Sequence, residues 1–344
     1  MSVRRVLGLV VVLACALGMI ALTWPGVFRL ERTFPIAQVL AFRVFVALGF
    51  AALAVVFLLF CFSRRTRPVA FALVVVCLVG AGGNAVTLAM RGFSSDELPA
   101  KTAGSVRVMT WNTAGSIEDP SRVAQIAVGM DADIVALPET NARTGEAIAI
   151  AMRGLGRPMW VHDVDAADWD AGKWDATRTT LLISPDLGNY SVIRSSQDGT
   201  STTTVVPSAV AMPVDGNGPT IVAVHAVAPR EAYAGEWDAD LRWIADQCAS
   251  SNVILAGDFN ATVDHFAGLG TNGGQLGDCT DSASEAGAGA VGTWPTSLPA
   301  LVGAPIDHVM HTPNWTVAGA IVLRTLDDAG SDHRPLIVQL DPVG

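Results

Sequence analysis

Two kinds of apolar run divide this chain. Before residue 100, three runs (Val6–Trp24, Val44–Phe62 and Val69–Met90) stay apolar throughout. Each is about twenty residues, the length that crosses roughly 30 Å of hydrocarbon. Beyond residue 105 the runs shorten. Those at Val106–Trp111, Ile134–Leu137, Thr180–Ile183, Thr202–Met212, Ile221–Val224, Val253–Ala256, Ile306–Met310, Thr316–Leu323 and Leu336–Leu340 predict strands. Helical spacing recurs at Arg122–Met130, Thr144–Met152 and Tyr233–Cys248, the last with Trp237, Leu241, Ile244 and Cys248 on one face. The alternation predicts an α/β domain with at least one large sheet. The organisation expected is a membrane anchor over 1–92, a polar linker over 93–105 and a domain over 106–344. Residues 264–296, rich in Gly, Ser and Ala, read as a long loop, and a loop of that length inside a compact domain usually has a role or is mobile.

Charge divides at the same place. Residues 1–100 carry nine Arg, no Lys and three acids, a net +6, whereas the remainder is −16. Arg4-Arg5 and the dense Arg64, Arg65, Arg67 cluster favour the cytoplasmic side, although Arg29, Arg32, Arg43 and Arg91 oppose them. With three spans, the positive-inside rule then puts the acidic domain outside the cytoplasm. A cleaved signal over Val6–Leu22, or a lipoprotein-like box ending at Cys15, is the competing reading, disfavoured by the two later spans. Cys248 and Cys279 are the only cysteines of the acidic domain, and the sequence leaves open whether they are thiols or a disulfide.

The chemistry gathers where apolar strands stop. Asn112, Glu139, His225 and Asp258 each follow an apolar run directly, and strand ends are where α/β folds collect functional groups. In order, Val108-Met109-Thr110-Trp111-Asn112, Asp133-Ile134-Val135-Ala136-Leu137-Pro138-Glu139, Val224-His225, Gly257-Asp258-Phe259-Asn260, Ile306-Asp307-His308-Val309 and Ser331-Asp332-His333-Arg334-Pro335 resemble the motifs of the endonuclease/exonuclease/phosphatase superfamily. One such motif is weak; six in order are strong. The resemblance covers about residues 105–342 and implies a DNase I-like four-layer α/β sandwich. That superfamily includes DNase I-like nucleases, neutral sphingomyelinases and inositol-phosphate phosphatases.

The resemblance also implies roles. Asn112, Glu139 and Asp332 would bind Mg²⁺ (or Mn²⁺), which suits a hard cation that needs few protein oxygens. His333 would be the general base, oriented by Asp307. Asp258 and Asn260 would position the nucleophile and contact the phosphoryl oxygens, and His225 would stabilise developing charge. Each has a plainer reading: an ion pair of Glu139 with Arg122 or Arg143, strand-end turns at Asn112 and Asp258-Phe259-Asn260, and core histidines at His225 and His333. His308 reads equally well as structural or supporting. Ala114 stands where nuclease members often carry an acid, and Arg178 reads better as a surface ion pair than as a phosphate ligand. The cluster His162, Asp163, Asp165, Asp168 and Asp170, with Trp160, Trp169 and Trp174, lacks calcium-loop spacing. It reads as a solvated acidic loop whose tryptophans suit a membrane interface.

With only Lys101 and Lys173 as lysines, the acidic domain is a poor match for duplex DNA, and nucleic acid is disfavoured as a partner. The anchor looks like that of membrane-anchored bacterial members of the superfamily, a subgroup linked to prenyl-phosphate or envelope-lipid phosphate chemistry. The leading expectation is a phosphohydrolase acting on a lipid-linked or small phosphate substrate at the bilayer. The alternatives are an extracytoplasmic nuclease or phosphodiesterase, and a non-catalytic membrane-anchored binding protein.

Overall fold

The computed structural model describes residues 3–94, 98–115, 119–165, 175–193 and 201–344. The chain divides into two compact units, Met1–Met90 and Arg91–Gly344. In the first, helices α1 (Val3–Thr23), α3 (Arg43–Phe60) and α4 (Arg67–Arg91) are long and apolar enough to cross a membrane. A short helix, α2 (Ile36–Ala41), lies in the first loop. Ionisable and amide groups within such a bundle are costly unless satisfied. Here the buried Arg43 donates to Asn84 Oδ1 (2.6 Å) and to the Thr23 carbonyl (3.2 Å), and Asn84 donates to Thr23 Oγ1 (3.1 Å). The three long helices thus share one hydrogen-bonded cluster.

The second unit contains β1 (Val106–Thr110), α5 (Pro120–Gly129), β2 (Ile134–Pro138), α6 (Ala142–Gly154), β3 (Trp160–Asp165), β4 (Arg178–Ile183), β5 (Tyr190–Val192), β6 (Ala209–Pro213), β7 (Thr220–His225), α7 (Ala234–Gln247), β8 (Val253–Asp258), β9 (Thr280–Asp281), α8 (Ser282–Glu285), β10 (Asp307–His311), β11 (Trp315–Val322) and β12 (Leu336–Pro342). They form two six-stranded mixed sheets, ordered β11-β12-β1-β2-β4-β3 and β5-β6-β7-β8-β10-β9. Val108, Ile134, Ala136 and Leu181 of one sheet share a core with Ala209, Ile221, Ala223, Ile254, Ala256 and Val309 of the other. On its outer face the first sheet packs Met109, Val135, Leu137 and Leu182 against Val123, Ala127, Ile148 and Met152 of α5 and α6. Helix α7 buries Trp237, Leu241 and Ile244, and its Asp240 accepts from Val227 N just beyond β7. Both sheets are therefore apolar on two faces, which explains their near-continuous apolar strands. This is the sandwich that the resemblance implies.

The sequence pattern and the fold part in four places. The apolar signal at Thr202–Met212 yields a strand only over Ala209–Pro213. Upstream, the Thr203 hydroxyl donates to the Val206 carbonyl and Ser208 Oγ accepts from His225 N. Hydroxyl groups there offer the backbone partners other than a ladder, and Pro207 lacks an N–H. Strands β3 and β5 carry no apolar signal, because β3 is a half-exposed edge and β5 has three residues. The loop over 264–296 holds β9, α8 and the buried Phe266, Leu276 and Val291. It is also closed by a disulfide between Cys248 and Cys279, whose Cα atoms lie 5.5 Å apart. Finally, part of the 93–105 stretch is docked: Pro99 O accepts from Arg107, Ala100 O from Gln339, and Lys101 pairs with Asp133.

Candidate active site

Strand pairing brings the strand-end residues together. Parallel pairing of β7 with β8 sets His225 beside Asp258, and antiparallel pairing of β8 with β10 sets Asp258 opposite Asp307. Gly257 permits this approach, because a Cβ there would collide with the Val224 backbone. Parallel pairing of β1 with β2 carries Asn112 and Glu139 to the same end. Three turns here adopt left-handed backbone at Ala114 (φ 51°), Glu139 (57°) and Asn260 (47°). Such conformations cost on the order of 1 kcal/mol each for non-glycine residues and collect at functional sites. Asn112 Oδ1 accepts from Ala114 N and Asp258 Oδ1 from Asn260 N, both at 2.8 Å, which holds two of them.

The side chains form a connected set. Asn112 Nδ2 donates to Glu139 Oε1 (3.1 Å) and to Asp258 Oδ2 (2.9 Å). Asn260 Nδ2 donates to the Ala226 carbonyl (2.9 Å) and to Asp258 Oδ2 (3.2 Å). His225 Nε2 lies 3.7 Å from Glu139 Oε1. His333 Nδ1 donates to Asp307 Oδ2 at 2.8 Å, so its Nε2 faces Asp258 (3.8 Å) and Asp332 (3.9 Å). Asp332 Oδ2 accepts from the Trp294 indole at 2.9 Å. All eight residues expected from the sequence thus occur in this network. Arg122, one of the cations named in the plainer reading of Glu139, pairs with Asp328.

Charge is poorly balanced. Burial disfavours an imidazolium at His333, but the Asp307 and Asp258 carboxylates outweigh it and hold its pKa up at about 10. Burial drives His225 down to about 3, reinforced by positive charge on His333, so His225 is a neutral imidazole. Burial also pushes the Asp258 carboxyl upward, against the pull of His333. Asp307 Oδ1 and His225 Nδ1 are buried without a hydrogen-bond partner.

This arrangement fits a divalent cation. Among the described residues, Asp258, Asp307 and His333 bring their ligand-type atoms within 4.8 Å of one another. The carboxylate oxygens around them, from Glu139 and Asp332, suit a hard divalent cation such as Mg²⁺ or Mn²⁺. Asp307 already spends one oxygen on His333, so this trio serves equally as a base with its orienting acid.

Other expectations resolve locally. His308 Nδ1 pairs with the buried Asp281 and Nε2 donates to the Ala261 carbonyl, both at 2.8 Å, so His308 supports the turn after Asn260. Burial opposes its charge, but Asp281 raises its pKa. Arg178 lies 3.4 Å from Asp165, a surface ion pair. Of the acidic cluster, His162, Asp163 and Asp165 lie on β3, where Trp160 is half exposed; Asp168, Trp169, Asp170 and Trp174 lie outside the described residues. Asp281, Thr293 and Trp294 are contributors that no strand-end signal marks.

Comparison with known proteins gives the same picture. Residues 109–333 match the model of the endonuclease/exonuclease/phosphatase family. A search of curated protein sequences found no match. The fold resembles an endonuclease/exonuclease/phosphatase from Beutenbergia cavernae (19% identity, 70% of this chain and 72% of that one, TM-score 0.51). It resembles D. rerio TDP2 complexed with single strand DNA product (17% identity, 69% and 99%, TM-score 0.51). A third similar structure is a family protein from Leptotrichia buccalis (13% identity, 69% and 99%, TM-score 0.52).

Proposed function

The chain belongs to the endonuclease/exonuclease/phosphatase family, hydrolases of phosphoester bonds that generally use divalent metal ions, and from that premise we propose a metal-dependent phosphohydrolase with a lipid-linked or envelope phosphate as substrate. The observation that carries the chemistry is the His333–Asp307 pair, with Nε2 turned toward Asp258 and Asp332. With a divalent cation offsetting the carboxylates that otherwise keep it protonated, His333 would take a proton from the attacking water at Nε2, while Asp307 fixes its tautomer and stabilises the imidazolium. Asp258 orients that water, and Asn260 donates to a phosphoryl oxygen. His225, neutral and buried, donates to the charge that develops on the phosphate or leaving group. Asn112, Glu139 and Asp332 would hold Mg²⁺ or Mn²⁺, which lowers the negative charge on the phosphoryl group.

Membrane association supports a substrate at the bilayer, because three helices are apolar enough to span it. An acidic domain with two lysines gains little from a polyanion. The Cys248–Cys279 disulfide suits an oxidising compartment and, with the Arg64, Arg65, Arg67 cluster, supports an extracytoplasmic catalytic domain. One observation favours the nuclease reading: a structure of similar fold is complexed with single strand DNA product. Assaying the full chain with Mg²⁺ against prenyl diphosphate, phospholipid, inositol phosphate and DNA separates them, since activity on DNA alone would replace the lipid reading. A C-terminal alkaline phosphatase fusion is expected to be active; an expressed but silent fusion would reverse the orientation.

A further inference from the structure

His333 and Asp307 come from different sheets: His333 precedes β12 of the first, and Asp307 opens β10 of the second. Their 2.8 Å contact therefore depends on the register between two sheets whose shared core is apolar and non-directional. One segment is bonded to both sides. Thr293 Oγ1 accepts from Asp307 N and from Ile306 N, each at 3.1 Å. The carbonyl of the same residue accepts from Arg334 N at 2.8 Å, one residue beyond His333. Next in sequence, the Trp294 indole donates to Asp332 Oδ2 (2.9 Å), and Thr296 N donates to the Asp332 carbonyl (2.9 Å).

The Arg334 side chain holds this segment in shape. Its guanidinium is fully buried, donates to the carbonyls of Gly292 (3.2 Å), Pro295 (3.3 Å), Thr296 (3.3 Å) and Leu298 (2.7 Å), and pairs with both oxygens of Asp327. A planar five-donor fork can serve so many acceptors at once; a lysine cannot. Burying this cation is costly, but Asp327 pairs it, and its four bonds to carbonyls converge on one strap beside Asp332 and His333.

We infer that residues 292–298 form a positioning strap in which Thr293 sets the His333–Asp307 contact across the sheets and Trp294 orients the Asp332 carboxylate. The inference rests on the active-site reading above. Thr293 and Trp294 act through Asp307, His333 and Asp332, and are positioning residues. Partners of this kind typically change metal affinity or activity by about 10–100-fold when removed.

The test uses the full chain in detergent micelles, labelled with ¹⁵N-histidine. Thr293→Val keeps shape and removes the acceptor, Thr293→Ser restores it, and Trp294→Phe keeps an aromatic ring while removing the indole N–H. The wild type is expected to show a downfield-shifted, exchange-protected His333 Nδ1–H signal. Thr293→Val should lose it or shift it upfield, and Thr293→Ser should retain it. Trp294→Phe should keep the signal and weaken Mn²⁺ binding, measured by calorimetry, by about tenfold. Should Thr293→Val fail to fold, the Trp294→Phe titration decides alone. Variants whose signal and Mn²⁺ affinity match the wild type would overturn the inference, as would a wild type lacking both. These readouts need no substrate, so absent phosphohydrolysis would remove the proposed reaction while leaving the strap to be judged on signal and affinity.

Discussion

Asp133, which precedes β2, and Asp307, which opens β10, are both buried carboxylates, yet their surroundings differ in kind. Asp133 pairs with Lys101 and Arg157 and accepts from Arg107 N. Asp307 has one oxygen on His333 and the other without a hydrogen-bond partner, and the Asp258 carboxylate stands opposite. A buried acid surrounded by cations does structural work. Buried acids that share a single imidazolium are less well compensated, and such settings are common at functional sites. Left-handed turns at Ala114, Glu139 and Asn260 lie at the same end, but Asp131 beside Asp133 shares that backbone (φ 53°), so charge rather than strain separates the two regions.

The contrast breaks most decisively at His333. His333→Ala should lower turnover by about 10²–10⁴-fold, the range for a general base, while the melting transition stays cooperative. Near-normal turnover would remove His333 as the base. Chelation by EDTA should bring hydrolysis to background, with recovery on adding Mg²⁺; activity that persists in EDTA would remove the metal from the account. At the opposite end, Asp133→Ala should cost about 2 kcal/mol in denaturant unfolding, because Arg107 N loses its acceptor and Lys101 and Arg157 keep only the Asp131 carboxylate, and should leave turnover of the folded fraction unchanged. A loss of turnover without a loss of stability would erase the distinction between the two ends.

A smaller effect tests the electrostatics. His225 is held near pKa 3 in the fold, against about 6.5 unfolded. Its folded pKa is depressed, so its contribution to stability is present above about pH 6.5 and is lost as pH falls toward 3. In EDTA, wild-type stability should therefore decline over that window more steeply than that of His225→Gln, by up to about 1.4 kcal/mol per pH unit. Parallel pH profiles would mean that His225 titrates normally.

Much of the site was legible because folding leaves a local mark on it. Apolar strands end abruptly at Asn112, Glu139, His225 and Asp258, and Asp307 begins another, so one-dimensional pattern finds residues that sheet pairing later joins. The spans were legible for the same reason, with bounds shifted where flanking Arg43 and Arg67 continue the helices. Contacts made across the fold leave no such mark. Nothing near Thr293 or Trp294 announces a bond to Asp307 or Asp332, and Asp281 meets His308 from 27 residues away. Strand β3 escaped because an edge strand needs no continuous apolar face, and the Cys248–Cys279 link because sequence carries no distance.

The central claim is that the uncompensated end of the sandwich hydrolyses a phosphate ester or anhydride with a divalent metal, on a substrate presented at a bilayer. Release of phosphate or of a phosphorylated headgroup by the full chain, reconstituted in vesicles that contain prenyl diphosphate and phospholipid, measures it most directly. The account predicts release that requires Mg²⁺ or Mn²⁺ and is lost in His333→Ala. Metal-dependent cleavage of DNA with no release from either lipid would contradict the substrate assignment, and no hydrolysis of any phosphate substrate would contradict the claim itself.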